Sequence, residues 1–270
     1  MPTIFEEITK CWGNTGNIWI YSDPHFSDME SYLIRFPDLF GLAVIPQNGG
    51  AITDEEIVKK LDEMQVRNIN SKCGKKDTLI ILGDVGNIEY VKKLKAGRKI
   101  LIMGNHDKGA SNYKRKVSVE HTQPLLDNTW RNIMTEYSAK PDFKSFSFVD
   151  LPDETLGRVL FDNCLFDEVY EGPLFIGSKI LLSHEPIIYP YGLNIHGHRH
   201  GGPFKHWVGM SYLSQEKTRP SEVHHYNVIA EGNGYYPYKL KDIIDEGILS
   251  NIKDIHRATA DFRIEEKENK

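Results

Sequence analysis

KILIMGNHD, Lys99 to Asp107, sets four apolar residues, Ile100 to Met103, directly ahead of Gly104, Asn105, His106 and Asp107. An apolar run this short, bounded by a glycine, reads as a fully buried strand rather than a helix. Open α/β sheets put their chemistry at the exits of such strands. The glycine allows a sharp turn, so three adjacent side chains can face one cavity. The pattern recurs in NIWIYSD (Asn17 to Asp23, running into Pro24-His25), DTLIILGD (Asp77 to Asp84) and KILLSHEP (Lys179 to Pro186, with His184). It recurs again in LNIHGHRHGG, Leu193 to Gly202, which carries His196, His198 and His200. Five predicted strands therefore end in Asp, Asn or His.

Between these strands, Thr53-Asp54-Glu55-Glu56 has the pattern of a capping box. It opens a helix with Ile57, Leu61, Met64 and Ile69 on its apolar side. Ile88 to Ala96 reads as a second short helix, stopped by Gly97 as its C′ glycine. Strand, helix, strand in this order predicts a βαβ unit with parallel pairing. Met1 to Thr15 reads as a short helical or irregular lead-in, and residues 28 to 51 mostly as loop with one short helix. Residues 113–165 are polar and aromatic, with a helix expected around Asp127 to Ser138. They separate the third strand from the next by more than a connecting loop needs, and read as an insertion that caps the site or makes an oligomer contact. From Phe166 the chain turns to β. FDEVYEGPLFIG and SKILLSHE form an expected hairpin about Gly177-Ser178, with a strand from Val223 to Glu231 and a helix from Lys239 to Leu249. The whole of 1–270 reads as one α/β domain.

With 33 Lys and Arg against 38 Asp and Glu, the chain carries a formal charge of −5, so no broad basic surface for long nucleic acid is expected. No apolar run approaches the roughly 18 residues of a spanning helix. The first residues lack the basic and apolar regions of a secretory leader. Neither membrane insertion nor secretion is expected. Cys11, Cys73 and Cys164 are odd in number and widely spaced, which predicts free thiols in a reducing cytoplasm.

In an extended segment Asp23 and His25 point to the same side and form a two-ligand clip. GNHD presents a neutral oxygen, an imidazole and a carboxylate side by side. Alternate histidines at 196, 198 and 200 rarely serve packing. Each signal alone has a bland explanation, a surface turn for Asp-x-His or a core histidine for His184. Together, Asp, His, Asp, Asn and three more His offer seven oxygen and nitrogen ligands and no sulfur. That set suits two octahedral or five-coordinate ions of the manganese, iron or zinc type, with one shared carboxylate completing a two-metal site.

DPH, GD, GNHD, a lone His and GHRH, in this order, resemble the calcineurin-like metallophosphoesterase family. The match covers about residues 17 to 112 and 166 to 240. GNHDKGASNY followed by FDEVYEG is similar to its compact stand-alone bacterial and phage members. The segment 113–165 is an addition to that pattern, and Asn87 stands where many members carry Asp or Arg. The resemblance implies a four-layer α/β/β/α sandwich with an inserted segment. It implies Asp23, His25 and His200 on a first metal, Asp84 bridging, and Asn105, His184 and His198 on a second. His106 would face the leaving group, oriented by Asp107. The implied cofactors are two divalent ions, manganese first, with iron, zinc or nickel as alternatives.

The implied reaction is hydrolysis of a phosphate ester by a hydroxide bridging the two ions, with His106 as proton donor. The substrate expected is small and phosphorylated, nucleotide-like or an aryl or alkyl phosphate ester. Two other readings use the same residues: a non-catalytic metal-bound scaffold for a partner protein, and a nuclease of the same family. An intact His106 argues against the first. The acidic balance argues against the second, because contacts along a strand need several Lys or Arg. Elsewhere, His196 reads equally as an orienting partner or a structural residue. Lys108, Lys114, Arg115 and Lys116 read as a solvated basic face, Arg199 as pointing away, and His224 and His225 as weak candidates for the cleft.

Overall fold

Three short runs of Ile and Leu build the centre of the molecule. In the computed structural model, which describes residues 17–40, 53–107, 158–159, 165–170, 172–176, 179–189, 191–211 and 221–252, they are β1 (Ile18–Tyr21), β2 (Thr78–Leu82) and β3 (Arg98–Ile102). They lie parallel, with Ile18 opposite Thr78 and Thr78 opposite Arg98. β5 (Glu168–Tyr170) extends the sheet parallel to β3, β4 (Arg158–Val159) closes that edge, and β11 (Tyr238–Lys239) closes the other beside β1. A second sheet has the order β6 (Leu174–Ile176), β7 (Ile180–Ser183), β8 (Leu193–His196), β10 (Ser221–Asn227), β9 (Lys205–Ser211). In it β7, β8 and β10 run parallel.

Alternation along each strand sets which face packs where. Ile18, Ile20, Ile80, Leu82, Ile100 and Ile102 point toward Leu174, Ile176, Ile180, Leu182, Leu193 and Ile195, and the sheets share this core. Full burial of each such side chain contributes roughly 1.5–3 kcal/mol. Leu79, Ile81, Leu101 and Val169 face the other way and pack with Ile69 and Cys73. Ile69 belongs to α3 (Asp54–Lys72), whose capping box is formed as expected: Thr53 Oγ1 accepts the Glu56 N–H, and Glu56 Oε2 accepts the Thr53 N–H. The result is mixed α/β with two sheets, one of them covered by a helix.

Several elements differ from the expectation. Ile88–Lys93 is a 3₁₀ helix, capped by the Asn87 side chain, with Leu94 as its last cap. Gly97 is no C′ residue. A Cβ there would lie 2.0 Å from the Lys75 carbonyl oxygen, so the glycine serves a close approach of two chain segments. Residues 29–40 form two helices, α1 (Met29–Arg35) and α2 (Pro37–Phe40). FDEVYEG supplies β5 to the first sheet, and the hairpin is β6 with β7 alone. The strand expected over Val223 to Glu231 ends at Asn227, followed by a 3₁₀ turn over Ala230–Asn233. The final helix, α4, is Leu240–Asp245, followed by a 3₁₀ turn over Ile248–Asn251. Met1 to Thr15, the helix around Asp127 to Ser138, and most of 113–165 lie outside the described residues. So do Cys11 and Cys164. Cys73 is free and buried, and burial pushes its thiol up to about 12. No described helix is long and apolar enough to cross a membrane.

Candidate metal centre

Parallel pairing brings the exits of β1, β2 and β3 to one end of the first sheet, and those of β7 and β8 to one end of the second. The exit loops are tied to each other through the backbone. The Asp23 N–H donates to the Gly83 carbonyl (3.2 Å), His25 N–H to Asp84 O (3.0 Å), and Gly197 N–H to His184 O (2.9 Å). Asp23, His25, Asp84 and His198 all adopt positive φ, between 46° and 60°. For non-glycine residues this costs on the order of 1–3 kcal/mol each, and such strain clusters at functional sites. Two glycines make the approach possible. A Cβ at Gly104 would lie 2.3 Å from Asp84 Oδ1, and one at Gly197 2.2 Å from Asp23 Oδ2.

The side chains converge in two sets, Asp23 with His25 and His200, and Asp84 with His184 and His198. In the first, Asp23 Oδ1 lies 3.6 Å from His200 Nε2 and 3.9 Å from His25 Nε2. In the second, His184 Nε2 lies 2.8 Å from Asn105 Oδ1, 3.0 Å from His198 Nδ1 and 3.4 Å from Asp84 Oδ2. Asp84 Oδ2 is also 3.5 Å from His25 Nε2, so it stands between the sets. Asp23, His25, Asp84 and His184 are buried and form the floor. Asn105, His106, His198 and His200 form an exposed rim.

Three of the imidazoles are pinned from outside. His25 Nδ1 meets Asp28 Oδ2 (3.0 Å), His184 Nδ1 meets the Leu82 carbonyl (2.9 Å), and His200 Nδ1 meets Glu231 Oε1 (2.6 Å). Each acceptor suits a ring proton on Nδ1 and turns Nε2 inward, as outer partners of metal-binding histidines do. Burial opposes charge on Asp23, but His200, His184, Ser22 and the His198 N–H together hold its carboxyl well below the usual range. Burial also opposes protonation of His184 and His200; the Asp84 and Asp23 carboxylates raise the first to about 9, and Asp23 and Glu231 raise the second to about 9. Burial, then Arg35, lowers His25. The carboxylates thus draw positive charge to this point. Asp23 Oδ1 and His25 Nε2 are buried with no hydrogen-bond partner, which is costly for a polar group and more so for a charged one. A divalent cation satisfies both, and oxygen and nitrogen donors without sulfur suit manganese, iron or zinc.

The Asp107 carboxylate accepts the backbone N–H groups of Asp84 (2.8 Å), Val85 (3.1 Å) and Gly104 (2.9 Å). His106 lies over the rim, its Nε2 4.0 Å from Asp84 Oδ2 and its N–H on Asp84 Oδ1 (2.9 Å). His196 lies elsewhere, fully buried beside Trp207 and His225. His225 stacks on Trp207, and His224 stacks on His206. Lys108, Lys114, Arg115 and Lys116 lie outside the described residues. Residues around the site that the sequence did not single out are Ser22, Asp28, Ser31, Arg35 and Glu231. Asp28 and Ser31 stood close enough to Asp-x-His to be suspected. Glu231 is brought in only by the second sheet.

A family model described as calcineurin-like phosphoesterase matches residues 16–237. Among curated proteins, none matches the chain. A crystal structure of a protein of unknown function from Aquifex aeolicus is similar, with 21% identity over 86% of this chain and 98% of that one and a TM-score of 0.42.

Proposed function

The chain belongs to the calcineurin-like phosphoesterase family, and from that premise we propose that it is a dinuclear metal-dependent phosphoesterase. The observation that carries this reading is the set of three imidazoles, each pinned at Nδ1 with Nε2 turned toward two buried carboxylates. Asp23, His25 and His200 would hold one ion, and Asn105, His184 and His198 the other, with Asp84 shared. Bound there, two divalent ions, manganese first, supply Lewis acidity that attracts a phosphoryl anion and makes water a nucleophile near neutral pH.

The chain's own groups do the rest. Asp107 fixes the loops after β2 and β3 by gathering three backbone N–H groups. That places His106 at the open rim, where its ring gives a proton to the departing ester oxygen as the phosphorus–oxygen bond breaks. The buried floor keeps bulk water from the carboxylates. The substrate is a small phosphate ester, nucleotide-like or aryl or alkyl, since the overall charge of −5 disfavours long nucleic acid. With this reading goes a four-layer α/β/β/α sandwich in a single domain, with 113–165 as an insertion that caps the site or makes an oligomer contact.

The test is hydrolysis of paired aryl phosphate monoesters and diesters with manganese, nickel and zinc compared. His106→Ala is expected to lose roughly 10²–10⁴-fold in turnover, the usual contribution of a general acid, with both metals retained. Asp84→Ala is expected to lose metal and turnover together. Full activity in either variant removes the assignment. A wild-type protein that binds metal and hydrolyses no ester is the scaffold.

A further inference from the structure

Arg35 is the last residue of α1, and this short helix is built into the metal centre. Its N-cap, Asp28, accepts the Ser31 N–H through Oδ1 (3.2 Å) and holds His25 Nδ1 through Oδ2 (3.0 Å). Ser31 Oγ lies 3.0 Å from the same ring nitrogen. Residues four apart share a helix face, so Arg35 returns to the site one turn beyond Ser31. There its Nη1 donates to the Asp23 carbonyl (3.2 Å), and its Nη2 lies 3.3 Å from His200 Nε2. Among the described residues no carboxylate lies within ion-pair range of the guanidinium, and the side chain is half-buried and reachable from the rim.

Resting on the metal reading above, we propose that Arg35 is the residue that grips the non-bridging oxygens of the substrate's phosphoryl group. The bond to the Asp23 carbonyl fixes the plane of the fork. Among the described residues the other side-chain acceptors at this point are the Tyr235 hydroxyl and His200 Nε2, the atom assigned to an ion. Once that lone pair is committed to an ion, the Nη2 hydrogen that met it is released beside the centre for an acceptor that the substrate brings. A guanidinium offers two parallel N–H donors that match two oxygens of a phosphate, which an ammonium does not.

The test uses the full chain loaded with manganese, with inorganic phosphate as probe. Phosphate binding is followed by calorimetry and metal content by elemental analysis, for wild type, Arg35→Gln and Arg35→Lys. With two ions still bound, Arg35→Gln is expected to weaken phosphate binding roughly 10- to 100-fold, the scale of lost charge-assisted hydrogen bonds. Arg35→Lys should fall between the two, and KM for an aryl phosphate should rise more than kcat falls. Unchanged phosphate binding in Arg35→Gln overturns the role of Arg35 and leaves the phosphoesterase reading standing. Loss of metal that excess manganese restores together with phosphate binding also overturns it, because Arg35 would then act only through His200. A wild-type chain that takes up no metal sinks the underlying reading and this one with it.

Discussion

His225 shows what a histidine looks like when it serves packing. It is buried on the face of β10 opposite the shared core, stacked on Trp207 at 4.1 Å, and its Nδ1 has no partner. Burial, and then the neighbouring His196, Arg199, His224 and His206, push its pKa down to about 3. The ordinary value in an unfolded chain is about 6.5. Below that value the unfolded chain takes up a proton that the folded one refuses, so this contribution is present above pH 6.5 and is lost as pH falls toward 3. For one site the loss reaches about 2 kcal/mol at pH 5, at most about 1.4 kcal/mol per pH unit. His225→Phe keeps the stacking and removes the proton. Urea melts at pH 7.5 and pH 5 should show the wild type losing about 2 kcal/mol more than the variant between the two conditions; equal losses would contradict a buried neutral ring. From sequence, His225 and His200 could not be told apart by residue type. What separates them is a carboxylate partner, Glu231 for His200, and that lies 31 residues away.

The elements were legible where hydrophobic pattern and punctuation coincide. β1, β2, β3, β7 and β8 are apolar runs closed by a polar tip, and α3 starts at a formed capping box. β9, KHWVGMS, has no such run, and β11 is two residues held only by pairing with β1, so tertiary context decides both. α1 hid for a similar reason, since only Tyr32 of its seven residues is buried.

A less visible feature is what α3 does beyond covering the sheet. Asp62 and Gln65, three apart and fully buried, face the loop that carries Asp23 and His25. Asp62 Oδ1 accepts the Ser27 N–H (3.0 Å) and the Tyr32 hydroxyl (2.5 Å), and Oδ2 accepts the Ser27 hydroxyl (3.1 Å). Gln65 Nε2 donates to the Pro24 carbonyl (2.9 Å), and its Oε1 accepts the Tyr21 hydroxyl (2.6 Å). Asp62→Ala should therefore do two things. It leaves buried donors unmet, costing about 1–3 kcal/mol. It also loosens His25 but not His184, so one ion per chain should weaken by roughly 10- to 100-fold while the other holds. Manganese titration resolves the two sites; equal weakening of both would show a global effect instead of a local one.

On the scale of the whole molecule, the candidate metal centre lies at a joint between the two sheets. Asp23, Asp84 and Asn105 follow strands of the first sheet, and His184, His198 and His200 follow strands of the second. The hydrophobic core holds the sheets together along their length. At this end the contact is polar: buried carboxylates meet buried imidazoles, and Asp23 Oδ1 has no hydrogen bond. An ion bound by one sheet's carboxylate and the other's imidazole joins them only in the folded chain, because the unfolded chain brings no such set together. Linkage then sets the size of the effect: free metal at a thousand times its dissociation constant stabilises by about 4 kcal/mol per site. For a chain of this length each kcal/mol moves the melting temperature by roughly 2–4 °C. Removing metal with a chelator should lower the melting temperature by about 8–16 °C for one such site, and the shift should grow with the logarithm of free metal. Asp84→Ala, which lacks the carboxylate standing between the two sets, should show a much smaller shift while keeping the shared core. A melting temperature indifferent to metal in the wild type would mean that the two sheets are not joined there by a cation.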